Sequence, residues 1–293
     1  MNKVKKLRKF FRSFMIDGYL VPKNDEYFNE YVNQSSDRLK FISNFSGSAG
    51  FAIILKNKNY LFVDGRYTIQ GRIQSGKNFK IITMPQKFPK DVLKTEKKLK
   101  IGFDPKLHNE KQLNFLFNIK NIILKPINRN LIDIIWSKKP KDLVKPFFSL
   151  SKKDVGQSSQ EKIVKVKNVL LKNKADYLLV TAPENVAWLL NIRGYDSPTS
   201  PIPNSNLLLT KEKQVFLIVE KNKTTKLLSE KKLKQNQIID PKYILEFFDK
   251  LKKGTIILGY ERKRKCALKK TSRINFSMSR AGNVFINELR VLF

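Results

Sequence analysis

Residues 185–198 read NVAWLLNIRGYDSP and form the most informative stretch of this chain. Pro183 just before them predicts the start of a short helix, because proline is tolerated in the first helical turn. This helix carries Trp188 into a glycine turn that holds Arg193 and Asp196. One interpretation is structural, with Trp188 in the core and an ion pair between Arg193 and Asp196 fixing the turn. The other places these residues on the wall of a substrate cleft.

A second glycine turn, FSGSAG at residues 45–50, lies between a helical stretch and a strand. Its small residues permit a tight turn and a close approach of the backbone. The segment lacks the Gly-Lys-Ser/Thr ending of a P-loop. Its glycine spacing also differs from that of a nucleophile elbow. We therefore expect this turn to be structural.

Asp64 and Arg66 belong to a third segment, DGRY at residues 64–67, which follows a predicted strand. Asp64 is a good N-cap for the helix predicted over residues 66–74, because its carboxylate can accept from the first free backbone N–H groups. The alternative is a functional one, in which the cationic Arg66 faces a cleft.

Strands alternate with helices along the first half of the chain, which predicts an α/β domain with a mixed sheet. The predicted strands are residues 18–22, 51–56, 60–63, 80–83, 100–105 and 121–124, and the predicted helices are 3–14, 66–74, 93–99 and 110–119. Residues 57–59 predict a hairpin between two of these strands.

The second half repeats this order. Its predicted helices are residues 160–173, 183–190 and 242–252, and its predicted strands are 175–181, 206–210, 215–219 and 255–258. We predict two tandem α/β domains, residues 1–150 and 151–260, joined by a polar, proline-containing link near residues 145–158. Residues 261–293 are expected to form a divergent basic tail, with nine basic and two acidic residues, that is disordered or read out of frame.

The formal net charge of +34 on 293 residues favours partners that are polyanions. Only 12 of the 59 basic residues are arginine, however, and the lysines are spread along the whole chain. Because nucleic-acid readers favour arginine, a solvated lysine-rich surface explains most of this charge. Non-specific polyanion binding at low salt is still expected, since counterion release needs only charge.

A single cysteine, Cys266, and a single histidine, His108, exclude several classes of protein. No disulfide can form within the chain, and Cys/His zinc sites need more ligands than are present. No apolar run approaches the length of a membrane span, and Arg12 interrupts any signal-peptide core. These features predict a cytoplasmic protein, in which His108, placed in a loop before a helix, is a surface residue.

Together, and in order, the three segments at residues 45–50, 64–67 and 187–198 resemble the N-terminal part of Xaa-Pro aminopeptidases of the creatinase/prolidase superfamily. The resemblance covers roughly residues 10–258. It implies two successive creatinase-type N-terminal domains, each with a mixed sheet flanked by helices. Arg66, Trp188, Arg193 and Asp196 are then candidates for architecture or for the wall of a peptide cleft, and none of them is a catalytic residue.

The resemblance also implies a catalytic domain of the pita-bread fold that holds two divalent metals, manganese or zinc. Its ligands are two Asp, one His and two Glu, and nothing in this chain matches them. We therefore expect no metal site, no cofactor and no catalytic residue here, and we interpret the chain as a truncated, non-catalytic portion of such a metallopeptidase, in which peptide substrates belong to the full-length family only.

Two other functions remain open. The charge and the arginine-containing tail favour a basic nucleic-acid-binding protein. Alternatively, the chain is a scaffold that pairs with a separately encoded catalytic chain. A homodimer is a further possible assembly, because the N-terminal domains of the family support dimerisation.

Overall fold

The computed structural model describes residues 3–142, 144–252, 254–258 and 274–277, with side chains up to Ile257. The chain divides into two compact units, Met1–Asp142 and Leu143–Phe293. Each unit is built around its own sheet.

In the first unit, the helices and strands follow the alternation predicted from the sequence. Its strands are β1 (Gly18–Pro22), β2 (Gly50–Leu55), β3 (Asn59–Asp64), β4 (Lys80–Met84), β5 (Leu99–Phe103) and β6 (Ile122–Pro126). Its helices are α1 (Lys3–Arg8), α2 (Arg38–Ser43), α3 (Thr68–Ser75), α4 (Pro89–Leu93), α5 (Glu110–Phe117) and α6 (Leu131–Ile135).

The sheet of this unit is mixed and has the order β4-β3-β2-β1-β5-β6. The neighbouring pairs β1–β2 and β2–β3 are antiparallel, whereas β3–β4, β1–β5 and β5–β6 are parallel. The predicted hairpin is the β2–β3 pair. Both faces of the sheet are covered, because successive strand residues point to opposite faces: Tyr19 packs with α1, α2 and α6, and Leu20 with α4 and α5.

In the second unit, the helices are α7 (Lys152–Val155), α8 (Ser159–Lys172), α9 (Pro183–Leu190), α10 (Thr225–Ser229) and α11 (Ile244–Lys250). Its strands are β7 (Phe148–Ser149), β8 (Tyr177–Val180), β9 (Ile192–Arg193), β10 (Asn206–Thr210), β11 (Val215–Ile218), β12 (Ile238–Ile239), β13 (Gly254–Leu258) and β14 (Ile274–Ser277). Strands β7 and β9 form a separate antiparallel ribbon.

The main sheet of the second unit repeats the topology of the first. Its order is β12-β11-β10-β8-β13-β14. Strand β10 pairs antiparallel with β8 and β11, and the pairs β11–β12, β8–β13 and β13–β14 are parallel. Strand for strand, this is the pattern of the first sheet, so β8, β10 and β11 are the counterparts of β1, β2 and β3. The prediction of α/β architecture with mixed sheets flanked by helices is confirmed.

Several elements differ from the sequence expectations. The helix predicted over residues 3–14 ends at Arg8, and helix α10 and the short strands β7, β9, β12 and β14 are not among the predicted elements. The helix predicted over residues 93–99 begins and ends earlier, at Pro89–Leu93, because Pro89 occupies its first turn and Asp91 caps it by accepting from the N–H of Phe88. The stretch predicted as a link contains β7 and α7. The domain boundaries at residues 150 and 260 remain predictions, and the tail at residues 261–293 lies outside the described residues apart from β14.

His108 is buried, so the prediction of a surface histidine is wrong. The residue follows a short 3-10 turn, Pro105–Leu107, and its ring packs edge-on against Phe103, with 5.8 Å between the ring centroids. The residue is 2% exposed, and neither ring nitrogen has a hydrogen-bond partner among the described residues. Burial lowers the pKa of His108 to about 3, because the imidazolium loses its hydration without gaining a partner.

This burial predicts an acid-sensitive stability. Between pH 6.5 and about 3 the unfolded chain binds a proton at His108 and the folded chain does not, so the free energy of unfolding falls as the pH falls. The slope from this residue approaches about 1.4 kcal/mol per pH unit. Urea unfolding of the wild type and of His108→Phe between pH 4.5 and 7 should show a shallower dependence in the variant. Parallel curves would contradict the burial of a neutral histidine.

Candidate functional site

The glycine turn of the first unit begins where α2 ends. Asn44 closes that helix in the left-handed conformation, with φ 65°, and its N–H donates to Lys40 O at 2.8 Å. Asparagine tolerates this conformation better than other residues with a side chain. The next residue, Phe45, is fully buried. A Cβ on Gly47 would lie 2.3 Å from the Phe45 ring, so only glycine fits there.

Asp64 caps the turn that follows β3. Its Oδ1 accepts from the N–H of Arg66 at 2.9 Å, and its Oδ2 accepts from Arg66 Nη2 at 2.7 Å. This side-chain pairing lowers the pKa of Asp64 and raises that of Arg66. The Arg66 side chain is 72% exposed. The capping role is therefore present, and the guanidinium is also accessible to a ligand.

The structure brings these two segments together. The Tyr67 hydroxyl lies 2.8 Å from Ser48 Oγ, and this hydrogen bond lowers the pKa of the phenol. The Tyr67 ring meets Phe45 edge-on at 5.7 Å between centroids. The turn before β2 is thus tied to the turn after β3, and Arg66 lies at that junction.

The second unit repeats this construction at residues 187–198. Helix α9 ends at Asn191, which is also left-handed, with φ 54°, and Ile192 after it is fully buried. A Cβ on Gly194 would lie 2.8 Å from Pro203 Cα. The order Asn, buried apolar residue, any residue, Gly therefore recurs in the two units, before β2 and before the equivalent strand β10.

Trp188 is half-buried and packs against the core of its unit. Its neighbour is a residue that the sequence analysis missed, the buried Lys162 on α8. Lys162 Nζ lies 4.4 Å from the Trp188 ring centroid and donates to Trp188 O at 2.9 Å and to Asn191 Oδ1 at 2.6 Å. Burial, and then the charges of Arg193 and Lys232, lower the pKa of Lys162. The helical spacing of residues 160–173 offered no signal for this inward-facing amine.

The predicted ion pair between Arg193 and Asp196 is not what the structure shows. Asp196 Oδ1 accepts from Lys223 Nζ at 2.9 Å, and its Oδ2 accepts from the Asn204 N–H at 2.8 Å. Arg193 Nη1 donates instead to the carbonyls of Ile192 and Ala187, at 2.9 and 3.3 Å. Carbonyls of α9 and β9 thus occupy Arg193 Nη1, and both carboxylate oxygens of Asp196 are held by Lys223 and the Asn204 N–H.

The two units therefore use the same junction with different chemistry. In the second unit, Lys223 belongs to the 3-10 turn Lys221–Lys223, which follows β11 as the turn Gly65–Tyr67 follows β3. The Asp196–Lys223 pair ties the turn before β10 to the turn after β11, as Ser48 and Tyr67 do in the first unit. These contacts hold backbone in place, and in the first unit they leave the Arg66 side chain exposed.

The residues present do not fit a dinuclear metal centre. In the part of the chain that the structure describes, no group of three or more His, Cys, Asp or Glu side chains could hold a metal ion. His108, the one histidine of the sequence, has its ring packed on Phe103 away from any such group. No catalytic step through a metal can be derived from these residues.

Two family models match the chain in tandem. Both are described as the creatinase/prolidase N-terminal domain, and they cover residues 3–124 and 138–288. The chain belongs to the creatinase/prolidase N-terminal domain family. The second match extends to residue 288, beyond residue 258, the predicted end of the resemblance. The family pattern therefore reaches into the basic tail.

Relatives of this family member include a probable Xaa-Pro aminopeptidase P of Coprinopsis cinerea, 37% identical over 226 residues, and Xaa-Pro aminopeptidase 1 of Dictyostelium discoideum, 32% identical over 238 residues. These matches cover 73% and 76% of this chain but only 36% and 38% of the relatives. The chain therefore spans little more than a third of the length of the curated relatives it matches.

A solved structure supports the fold assignment. The X-prolyl aminopeptidase of Caenorhabditis elegans, described as a cytosolic enzyme with a di-nuclear active site, superposes with a TM-score of 0.82 at 24% identity. The superposition covers 94% of this chain and 50% of that enzyme. Within the described residues of this family member, no helix is long and apolar enough to cross a membrane.

The DGRY turn generates a prediction about stability. Asp64→Ala removes the cap of the 3-10 turn and should lower the free energy of unfolding by about 1 kcal/mol. Asp64→Asn, the matched control, keeps an acceptor for the Arg66 N–H and should retain most of that stability. Arg66→Ala should leave the melting temperature unchanged, because an exposed ion pair contributes little. A larger loss in Arg66→Ala than in Asp64→Ala would contradict the capping role.

A second prediction concerns the partner of Asp196. Lys223→Met breaks a largely buried ion pair and should lower the free energy of unfolding by about 3 kcal/mol. Arg193→Met removes only hydrogen bonds to carbonyls and should cost less. Double-mutant cycles with Asp196→Asn, measured by urea unfolding, should show a coupling above about 1 kcal/mol for Lys223 and below about 0.5 for Arg193. A larger coupling energy for Arg193 than for Lys223 would show that Asp196 pairs with Arg193 instead.

Proposed function

We propose that these two units are the non-catalytic N-terminal part of an Xaa-Pro aminopeptidase-like metallopeptidase. In that role they wall the entrance to an active site and restrict it to peptides. The observation that carries the proposal is the tandem family match, together with relatives named as Xaa-Pro aminopeptidases over about three quarters of this chain. We propose that the assembled protein has the activity in those names, which is to act on peptides with proline after the N-terminal residue.

The four candidate residues have different roles in this proposal. Trp188, Arg193 and Asp196 are architectural, because their contacts are with backbone, core or a neighbouring lysine of their own unit. Arg66 is the candidate for contact with a peptide, because its side chain is 72% exposed while its backbone position is held by Asp64. Neither role involves bond cleavage.

The dinuclear centre of such an enzyme must come from residues other than those described. A hydroxide-generating dimetal site needs several carboxylates and an imidazole converging on one point, and the described part of the chain holds no such cluster. We propose that the centre lies either on a longer polypeptide or on a separate catalytic chain. A cytoplasmic location and a homodimer are parts of the same proposal.

Binding of nucleic acid remains the second candidate, and the net charge of +34 is the observation that favours it. Exposed Tyr195 and Phe115 each lie near a lysine ammonium, Lys145 at 5.0 Å and Lys90 at 5.3 Å from the ring centroid. Such a surface binds polyanions through counterion release, so its affinity should fall steeply with salt. Sequence-selective binding that persists at 0.2 M salt would favour this function over the first.

The decisive experiment is an activity assay of the purified full chain with manganese or zinc and an Xaa-Pro peptide. We expect no release of the N-terminal residue above the blank, with the Caenorhabditis elegans enzyme as a positive control. If a complementing catalytic chain exists, activity should appear only when the two are mixed, and removal of the units from the assembly should relax the restriction to peptides. Release of the N-terminal residue by the purified chain alone would contradict its non-catalytic role.

A further inference from the structure

An open pocket of about 570 Å³ lies beside the N-terminal segment of the first unit. It forms where the turns after α1 meet the start of β1, the end of β2 and the start of β5. Its volume falls within the range of small-molecule sites. The cations that line it are Arg8, Arg12, Lys56 and Lys100.

The pocket carries an excess of positive charge. Asp17 is the one carboxylate among the described residues that line it. Its Oδ1 accepts from Lys56 Nζ at 2.6 Å, and its Oδ2 accepts from the Lys100 N–H at 2.9 Å. Burial alone would raise the pKa of Asp17, but these hydrogen bonds lower it. Asp17 pairs with Lys56 and is also attracted by the charge of Lys100, so one carboxylate faces four cations and three positive charges remain in excess. Within the described residues, no ion pair involves Arg8 or Arg12.

Two hydrogen bonds fix the guanidinium of Arg8 in position. Its Nε donates to Leu55 O at 2.8 Å, and its Nη2 donates to Asn59 Oδ1 at 2.9 Å. Both acceptors are neutral, and burial lowers the pKa of Arg8. Arginine is also scarce in this lysine-rich chain, with 12 in 293 residues, yet Arg8 and Arg12 line one pocket. The lysine-rich composition therefore does not account for this pair.

The same pocket has an apolar side. Phe11 and Ile16 are buried at its wall, and Met15 is 67% exposed. Met15 also has a φ of 47°, a left-handed conformation that costs a residue with a side chain about 1 kcal/mol. This backbone conformation holds a flexible thioether at the pocket instead of in the core. Met15 is thus the apolar side chain that a ligand in this pocket can contact, beside the cations.

We propose that this pocket binds a phosphate monoester with an apolar or aromatic body. Such a group carries between one and a half and two negative charges at pH 7, which suits an excess of three positive charges better than a carboxylate does. Arg12 offers its guanidinium fork to the phosphate oxygens, Arg8 offers the Nη1 group that its bonds to Leu55 and Asn59 leave over, and Lys100 adds a point charge. The apolar body lies against Met15, the exposed apolar side chain of this pocket. This site is independent of the proposed peptidase role.

Calorimetric titration of the full chain in 0.15 M salt tests the proposal, with phenyl phosphate as the probe. We expect saturable binding at one site, about tenfold tighter than that of inorganic phosphate. The double variant Arg12→Gln/Lys100→Gln should weaken it by about tenfold or more. The control, Lys97→Gln/Lys98→Gln, removes the same charge from exposed residues outside the pocket and should change it less than twofold.

Met15→Asp supplies an independent variant. Aspartate tolerates the left-handed conformation, so the fold should persist while a negative charge enters the pocket. Binding of phenyl phosphate should then weaken by at least about tenfold. Equal losses in the pocket and control variants, equal affinity for phenyl phosphate and inorganic phosphate, undiminished binding by Met15→Asp, or the absence of saturable binding would each overturn the proposal.

Discussion

In each unit, one helix ends at a left-handed asparagine. A buried apolar residue and then a glycine with no room for a Cβ follow, and these residues set the direction in which the chain enters the next strand. Asn44 and Asn191 turn the chain from α2 or α9 toward the second strand of the corresponding sheet, and Gly47 and Gly194 let it pass through crowded space. The buried residue between them, Phe45 or Ile192, anchors the turn in the core. The reversal lets the second strand of each sheet run antiparallel to the first.

The same frame supports different chemistry in the two units. In the first, a neutral hydrogen bond between Ser48 and Tyr67 closes the junction, and the charged Arg66 remains outside it. In the second, an ion pair between Asp196 and Lys223 closes the junction in largely buried surroundings. Because the two units share the backbone path of these turns, the side chains that link the turns can differ while the strand order stays the same. Candidate residues at equivalent positions therefore need not share a function.

Local pattern sufficed to predict the longer strands up to residue 258, the α/β class and a cap at Asp64, because alternation and caps are properties of neighbouring residues. It missed the short strands β7, β9, β12 and β14, and Asp64 caps a 3-10 turn ahead of α3 instead of the α-helix itself. Local pattern also failed where the partner is distant in sequence. Asp196 pairs with Lys223 rather than with the adjacent Arg193, and Lys162 reaches Asn191 across the core. The burial of His108 likewise follows from its packing on Phe103 and not from its loop context. Periodicity carries no information on such pairings.

This basic chain has few acidic residues to pair with its cations, and it uses many of its aspartates as caps instead. Many of its aspartates accept from backbone N–H groups at turns and helix ends: Asp37, Asp64, Asp91, Asp104, Asp154 and Asp240. Where no acid faces a buried cation, neutral oxygens and rings take its place, as Asn191 and Trp188 do for Lys162. These partners satisfy the hydrogen bonds of the Lys162 amine, but burial removes the hydration of the ammonium and the charges of Arg193 and Lys232 repel it, so its pKa falls. These caps spread the aspartates over separate turns and helix ends, and within the described residues no three His, Cys, Asp or Glu side chains converge on one point that could hold a metal ion.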